Sequence, residues 1–500
     1  MKYAQAAMLS FLAVLFVATA APAAEAPKQD PNGWKRFRPR AYRETFTEAE
    51  KAKPWVRATS HDVQEFPFLD GQWEGILCDS DGDVWFSVSS HSSELGGQLF
   101  VYKQDRGKVI HVADLDQACG EKLTGNPPQD KIHGQMFQEG RYIYTGTCEG
   151  HAIPGNPYKG GYWLKIDRKT GVVENLGKSI TDDGLLCVSY DPNRKLLYGH
   201  TNRTGELTVF DPATGKERVL GVPWQDVIDR WEASDDPKKP KEIWPRGLTH
   251  MITKDGRVFG VKRPPGTFWC YDPQTEEITT FKVEMPLPRD LLAARGEPDI
   301  DPDLPEAKRK QLRQHHQRLL ERREQQWRNS AFHLHYWSEK DQCFYLIRSF
   351  DQMLCRFYPP SADGKTPARV ELVQRMADRE RLWGNRPAAC TLVIHDRKVW
   401  YTPTTGWGGT AYLTSYDLDT GEFTDHGPII CEGGRRTAEV HALDVGPDGK
   451  LYMVAFAYNI ENEDPDRPWA MRGKWTFHPR FVIVDPAKHL QTGKGQAEKQ

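Results

Sequence analysis

One phrase returns seven times along this chain: a turn of Asp, Gly, Lys or Arg, then an alternating apolar strand rich in aromatics. It reads DGDVWFSV from Asp81, GRYIYTGT from Gly140, RKLLYGHT from Arg194 and DGRVFGVK from Asp255. It returns as DQCFYLIR from Asp341, DRKVWYTP from Asp396 and DGKLYMVA from Asp448. A second phrase follows most copies: YWLKIDRKTGVVENLG from Tyr162, LTVFDPATGKERVLG from Leu207, FWCYDPQTEEITTFK from Phe268 and LTSYDLDTGEFTDHG from Leu413. LFVYKQDRGKVI from Leu99 and FVIVDPAKH from Phe481 are weaker versions. Its Asp-x-x-Thr-Gly core is a hairpin turn, because Asp supplies turn hydrogen bonds and Gly a positive φ. An apolar strand precedes the first phrase, as in GILCDS from Gly75, LLCVSY from Leu185 and EVHALDVG from Glu439. The unit is a four-stranded antiparallel meander. Such a unit cannot bury both its faces alone, and radial stacking of copies solves that problem. The expected fold is all-β, a single seven-bladed β-propeller. A sandwich or β-helix fits a four-stranded hairpin repeat less well.

Repeat boundaries assign residues 71–490 to the propeller, 25–70 to a polar lead-in and 491–500 to a polar tail. Residues 284–331 form a charged helical insertion between the fourth and fifth blades. Within it, Glu306 to Arg328 is rich in helix formers, with Leu312, Leu319, Leu320 and Trp327 roughly on one side. It reads as a solvated surface helix, or as a basic flap that attracts an acidic polymer.

The first 24 residues combine Lys2, the apolar run Met8 to Ala20 and small residues around Ala21 to Ala26. That pattern reads as a cleaved signal peptide, with an uncleaved anchor as the alternative. The expected location is secreted or periplasmic, with no membrane association after cleavage. The balance of 67 Lys+Arg against 69 Asp+Glu, a formal charge of −2, argues against a protein that coats nucleic acid. The 16 Trp and 38% hydrophobic residues suffice for a core, which excludes global disorder. Nine Cys without a CxxC pair make neither a disulfide scaffold nor a zinc ribbon. Cys343 and Cys355 flank a hairpin turn, where they either face each other or remain two buried thiols.

In a propeller, the start of each inner strand and the loop joining the second and third strands reach the same rim. This register places His91, then His133, Gln135 and His151, then His200, Asn202 and Arg203 there. It adds Arg246, His250, Lys262 and Arg263, then His333, His335 and Arg348. Trp407, Arg435, Arg436, His441 and Tyr458 complete the rim. Any one His is more often structural; the signal is the convergence. Arg beside neutral His suits a carboxylated sugar: Arg grips a uronate carboxylate in a bidentate fork. A His or Tyr then removes the proton on the adjacent ring carbon, and another protonates the leaving oxygen. A glycoside hydrolase would want two facing carboxylates, and although Glu149 and Glu439 fall near the rim, no pair of that kind stands out.

At KIHGQMFQEGRYIYTGTCEGHA, GGYWLKIDRKTGVVENLG and LLYGHTNRTGELTVFDPATGK, the chain resembles secreted seven-bladed propeller polysaccharide lyases of the ulvan lyase type. The likeness covers blades two to four. It implies that His133 is the inner-strand catalytic histidine, His151 the second histidine, and Arg203 the arginine that neutralises the uronate carboxylate. The family also uses an inner-strand tyrosine. Here Cys187 stands nearest its place and Tyr190 follows a few residues later.

No GxGxxG, Walker, HExxH, GxSxG or CxxCH motif occurs. His333 and His335, two apart on a strand, share a face and could ligate a metal, but without clear third and fourth ligands substrate contact or structure is favoured over zinc. No cofactor is predicted, and a structural zinc or calcium is left open. The expected function is a monomeric, exported lyase acting on an acidic, uronate-containing polysaccharide, sulfated or not. His133, His151, Arg203 and Tyr190 form the catalytic set. Gln135, His200, Asn202, Arg246, His250, Arg263, His333, His335, Arg348 and His441 contact substrate. The alternative is a non-catalytic carbohydrate- or protein-binding propeller; a propeller hydrolase or oxidoreductase comes third.

Overall fold

The computed structural model describes residues 56–63, 69–71, 73–90, 95–122, 124–149, 156–225, 229, 250–262, 267–286, 300–328, 332–348, 352–377, 392–404, 410–432, 435–459 and 477–488. The signal peptide, the polar tail, His91, His151, Arg246, Arg263 and Trp407 lie outside the described residues.

Each of the seven repeated phrases is the second strand of an antiparallel run. Four runs are separate four-stranded sheets, the clearest being Leu185–Asp191, Leu196–Thr201, Leu207–Asp211 and Lys216–Gly221. A fifth sheet has five strands, because Leu69–Gly71 and Ile76–Cys78 both pair with Val84–Ser90. The last two copies run together in one eight-stranded sheet from Leu392–His395 to Val56–Asp62. Five blades therefore stand as separate sheets, where the repeat predicted seven. The difference arises where Phe423–Cys431 meets Arg435–Val445 antiparallel and Val56–Asp62 in parallel.

The lead-in is corrected by the same pairings. Val56–Asp62 is not outside the repeat: Thr59 to Asp62 pair antiparallel with Ile483 to Arg480. It supplies the outer strand that FVIVDPAKH, lacking a following strand, leaves missing.

Apolar residues fill the gaps between neighbouring sheets. Trp163 stacks on Phe210 at 5.1 Å, and Phe268 on Phe357 at 4.6 Å. Phe86 stacks on Phe481 at 4.7 Å, joining the last sheet to the first. A series of sheets that packs face to face and returns to its start is a β-propeller. Among the described residues, the helix Glu306–Arg328 lies between the strands Glu277–Lys282 and Phe332–Ser338, and no helix is long and apolar enough to cross a membrane.

The outer hairpins show why Asp-x-x-Thr-Gly recurs. The Asp167 carboxylate accepts from the Lys169 and Thr170 amides, and Gly171 closes the turn at φ 75°. In the fourth copy Glu276 replaces that Gly and takes φ 59°. A left-handed non-Gly residue costs roughly 1–2 kcal/mol, and the exposed Glu276–Arg218 ion pair offsets little of it. Glu276→Gly is therefore expected to raise the melting temperature by about 1 °C, read by differential scanning calorimetry; a lower value rejects the strain.

The cysteine expectation resolves toward separate thiols. Cys355 lies opposite Leu346 rather than Cys343. Cys343 packs between this sheet and the next, Cys355 between it and the one before, and both are free and buried.

Candidate active site

The segment Lys131–Met136 enters the second sheet beside the third. Lys131 bridges to Cys148, and the His133 carbonyl accepts from the Glu74 amide. A Cβ on Gly134 would stand 2.6 Å from the Val188 nitrogen, so glycine is what lets this backbone lie so close. His133 is buried, and its Nδ1 donates to the Leu186 carbonyl at 2.9 Å. The lone pair of the neutral ring is thereby left on Nε2.

Trp73 ties three groups together. Its indole stacks on His133 at 4.5 Å, meets His441 edge-on at 5.4 Å, and carries the Lys131 ammonium 4.9 Å from its ring centre. His441 is buried and hydrogen-bonds through Nε2 to Glu439 Oε1. A buried carboxylate on one imidazole nitrogen fixes the orientation of the ring. A lysine and two histidines thus share one indole at the rim, and Glu439 holds one of the histidines.

Other expected residues gather differently. Arg203 is half-exposed and already gripped by Glu149, with Nε on Oε1 at 2.8 Å and Nη2 on Oε2. Asn202 joins the same carboxylate at 3.2 Å. His200 and His250 are fully buried and hydrogen-bonded to each other, Nδ1 to Nε2, at 3.2 Å; His200 also stacks on Trp224. Burial lowers His200 to about 3 and His335 to about 4, and pushes His250 well below its ordinary value. These rings are neutral at pH 7. Arg348 is buried, with its guanidinium 5.8 Å from the Phe332 ring centre. A bulge between His333 and His335 breaks the alternation expected to set them on one face. Among the described residues no three His, Cys, Asp or Glu side chains converge as a metal site.

Tyr190 sits apart from His133. It lies four residues beyond Leu186 on Leu185–Asp191, roughly 13 Å along a strand, and packs near Tyr144. Burial first, then Glu139 beside it, raises its phenol above the ordinary value. Cys187, which stands in the expected tyrosine's place, has its thiol pushed up to about 12 by burial. Neither is a ready proton acceptor at neutral pH.

Beneath the rim cluster lies a cavity of about 580 Å³, lined by the first strands of the repeat copies. Gln135, His250, His335 and His441 reach it, as do Glu74 and Ser189. Its exposed lining residues, Pro192, Asn193, Lys254 and Glu339, all fall in the turns between first and second strands. The cavity therefore meets solvent on the turn face, opposite the rim where the histidines were expected to converge. His441 belongs to both places.

Sequence reasoning missed Trp73 and Lys131, and left Glu439 without a partner. Glu439 and His441 meet on a strand whose register shifts between Thr437 and Val440 and again between Val440 and Ala442, so strict alternation could not have announced the pair.

No protein-family model and no curated protein matches this chain. Among solved structures it is similar to a streptogramin B lyase, at 10% identity and TM-score 0.46 over 86% of this chain and 97% of that one. It is likewise similar to virginiamycin B lyase from Staphylococcus aureus, at 9% and 0.45 over 86% and 99%. A third likeness is to the β-propeller domain of Cps50 (Swd1) from Myceliophteria thermophila, at 10% and 0.46 over 85% and 99%.

Proposed function

We propose that this protein is an exported polysaccharide lyase that cleaves a uronate-containing glycan by β-elimination at the Trp73 cluster. The observation that carries the reading is the buried His441–Glu439 pair beside a second histidine and a cation. His133, with its lone pair on Nε2, takes the proton from the ring carbon bearing the carboxylate. Lys131 stabilises the negative charge that grows on that carboxylate. The carbon–oxygen bond to the next sugar breaks, and His441, hydrogen-bonded to Glu439 and entering the cycle as imidazolium, protonates the departing oxygen. One proton is taken and one given, no water is consumed, and the product carries a carbon–carbon double bond. In this reading the eight-stranded sheet is two blades of a seven-bladed ring, and the protein acts as a monomer.

A second reading, a non-catalytic glycan-binding propeller, is favoured by Arg203, whose guanidinium Glu149 already holds, and by the distance of Tyr190 from His133. Ultraviolet absorbance during incubation with ulvan, glucuronan, pectin and glycosaminoglycans separates the two. A rise from the new double bond supports the lyase and identifies its substrate class. No rise, with glycan retained on an affinity gel, supports the binder; neither signal rejects both.

A further inference from the structure

The 23 residues of the helix Glu306–Arg328 hold eight Lys or Arg and three Glu, while the whole chain carries −2. Positive charge is therefore concentrated here and the rest of the chain is net acidic. Between Glu306 and Arg318 all but two residues are exposed, including Leu312. The ion pairs of this stretch stay within the helix: Arg309 and Arg313 both turn to Glu306, at 2.6 and 3.8 Å. Lys308, Lys310 and Arg318 form no salt bridge among the described residues. Arg309 and Arg313 are one turn apart, where like charges destabilise a helix by a few tenths of a kcal/mol. Leu320 is buried, and among the described residues no acidic side chain outside the helix pairs with its Lys or Arg side chains from Lys308 to Arg318.

We infer that this helix is a docking arm for a polyanionic polysaccharide, which it holds through charge while the rim acts on one residue of the chain. Five cations from Lys308 to Arg318 span about 15 Å of helix, the reach of several sugar units. Apart from His315 and His316, residues 306–321 include no aromatic side chain, so the stretch lacks the Phe, Tyr or Trp platform on which single-stranded nucleic acid stacks. An array of point charges without such a platform suits a carboxylated or sulfated polymer.

This inference rests on the lyase reading for its substrate, and the test separates the two. The variant carrying Lys308→Gln, Lys310→Gln, Arg313→Gln and Arg318→Gln is compared with the native chain. Readouts are retention on immobilised heparin and turnover of polygalacturonate and of a uronate trisaccharide. The expected result is elution at clearly lower salt and a roughly tenfold higher KM on the polymer, with trisaccharide kinetics and melting temperature unchanged. Equal retention and equal polymer KM overturn the docking arm and leave the lyase standing. Helix-dependent retention without turnover of any uronate overturns the lyase and keeps the arm. Displacement from heparin by duplex DNA at a lower charge concentration than by polygalacturonate overturns the glycan assignment in favour of nucleic acid.

Discussion

His441→Gln is expected to keep the melting temperature within a few degrees and to lower elimination turnover by roughly 10²–10⁴-fold. The amide fills much the same space and can still hydrogen-bond Glu439, but it holds no transferable proton at neutral pH. Glu439→Gln tests the partner. A carboxylate hydrogen-bonded to an imidazole favours the charged ring, and a neutral amide in its place does not. Because the proposed role needs the protonated ring, the alkaline limb of the kcat/KM profile should move to lower pH, and rate should be partly recovered in acid. A His441→Gln enzyme that turns over normally removes the ring from the mechanism. A Glu439→Gln profile that is lower at every pH without moving assigns Glu439 to packing alone.

The second large effect is on stability. His200 and His250 are buried as a neutral pair, with burial holding His200 near 3 against 6.5 when unfolded and His250 well below that value. The unfolded chain binds protons that the folded one refuses, so stability is full above 6.5 and falls as pH drops below it. Each ring costs about 1.4 kcal/mol per pH unit, or about 2 kcal/mol at pH 5. The pair together removes about 4 kcal/mol, a large share of the 5–15 kcal/mol typical of a folded protein. His335 acts in the same direction but more weakly, since its ring lines the cavity. Urea unfolding at pH 7 and pH 5 should show this loss, and His250→Gln should roughly halve it after allowing for its own baseline cost. Equal midpoints at the two pH values would mean the pair is charged or solvated in the folded protein.

The fold was legible wherever the repeat carried its own turn chemistry. Asp167 to Gly171 announces a hairpin because an Asp side chain and a left-handed glycine do the same work in the copies that carry Asp211 with Gly215 and Asp417 with Gly421. Val56–Asp62 was not legible, because it lacks the phrase and its partners come from the other end of the chain. Nor could the phrase show that Phe423–Cys431 pairs on past its own blade. At the site, His133 and His441 could be read from the inner-strand register. Trp73 could not, although DGQWEG leads into the first inner strand, because a tryptophan there reads as core. Arg203 illustrates a different limit. Its place in GHTNRTG was plain, but the carboxylate that occupies it comes from Glu149 on a neighbouring segment, and ion pairs between distant segments leave no local pattern.

The pairing of Thr59 to Asp62 with Ile483 to Arg480 also imposes an order of events on the growing chain. An early segment leaves the ribosome with an edge that its partner cannot satisfy until Arg480 to Ile483 are made. Contacts of such sequence separation form late and slowly, so this closure comes after the sheets between have been made. Until then the first sheet must wait beside an open seam, and any nascent chain released early would carry an exposed strand edge into a crowded compartment.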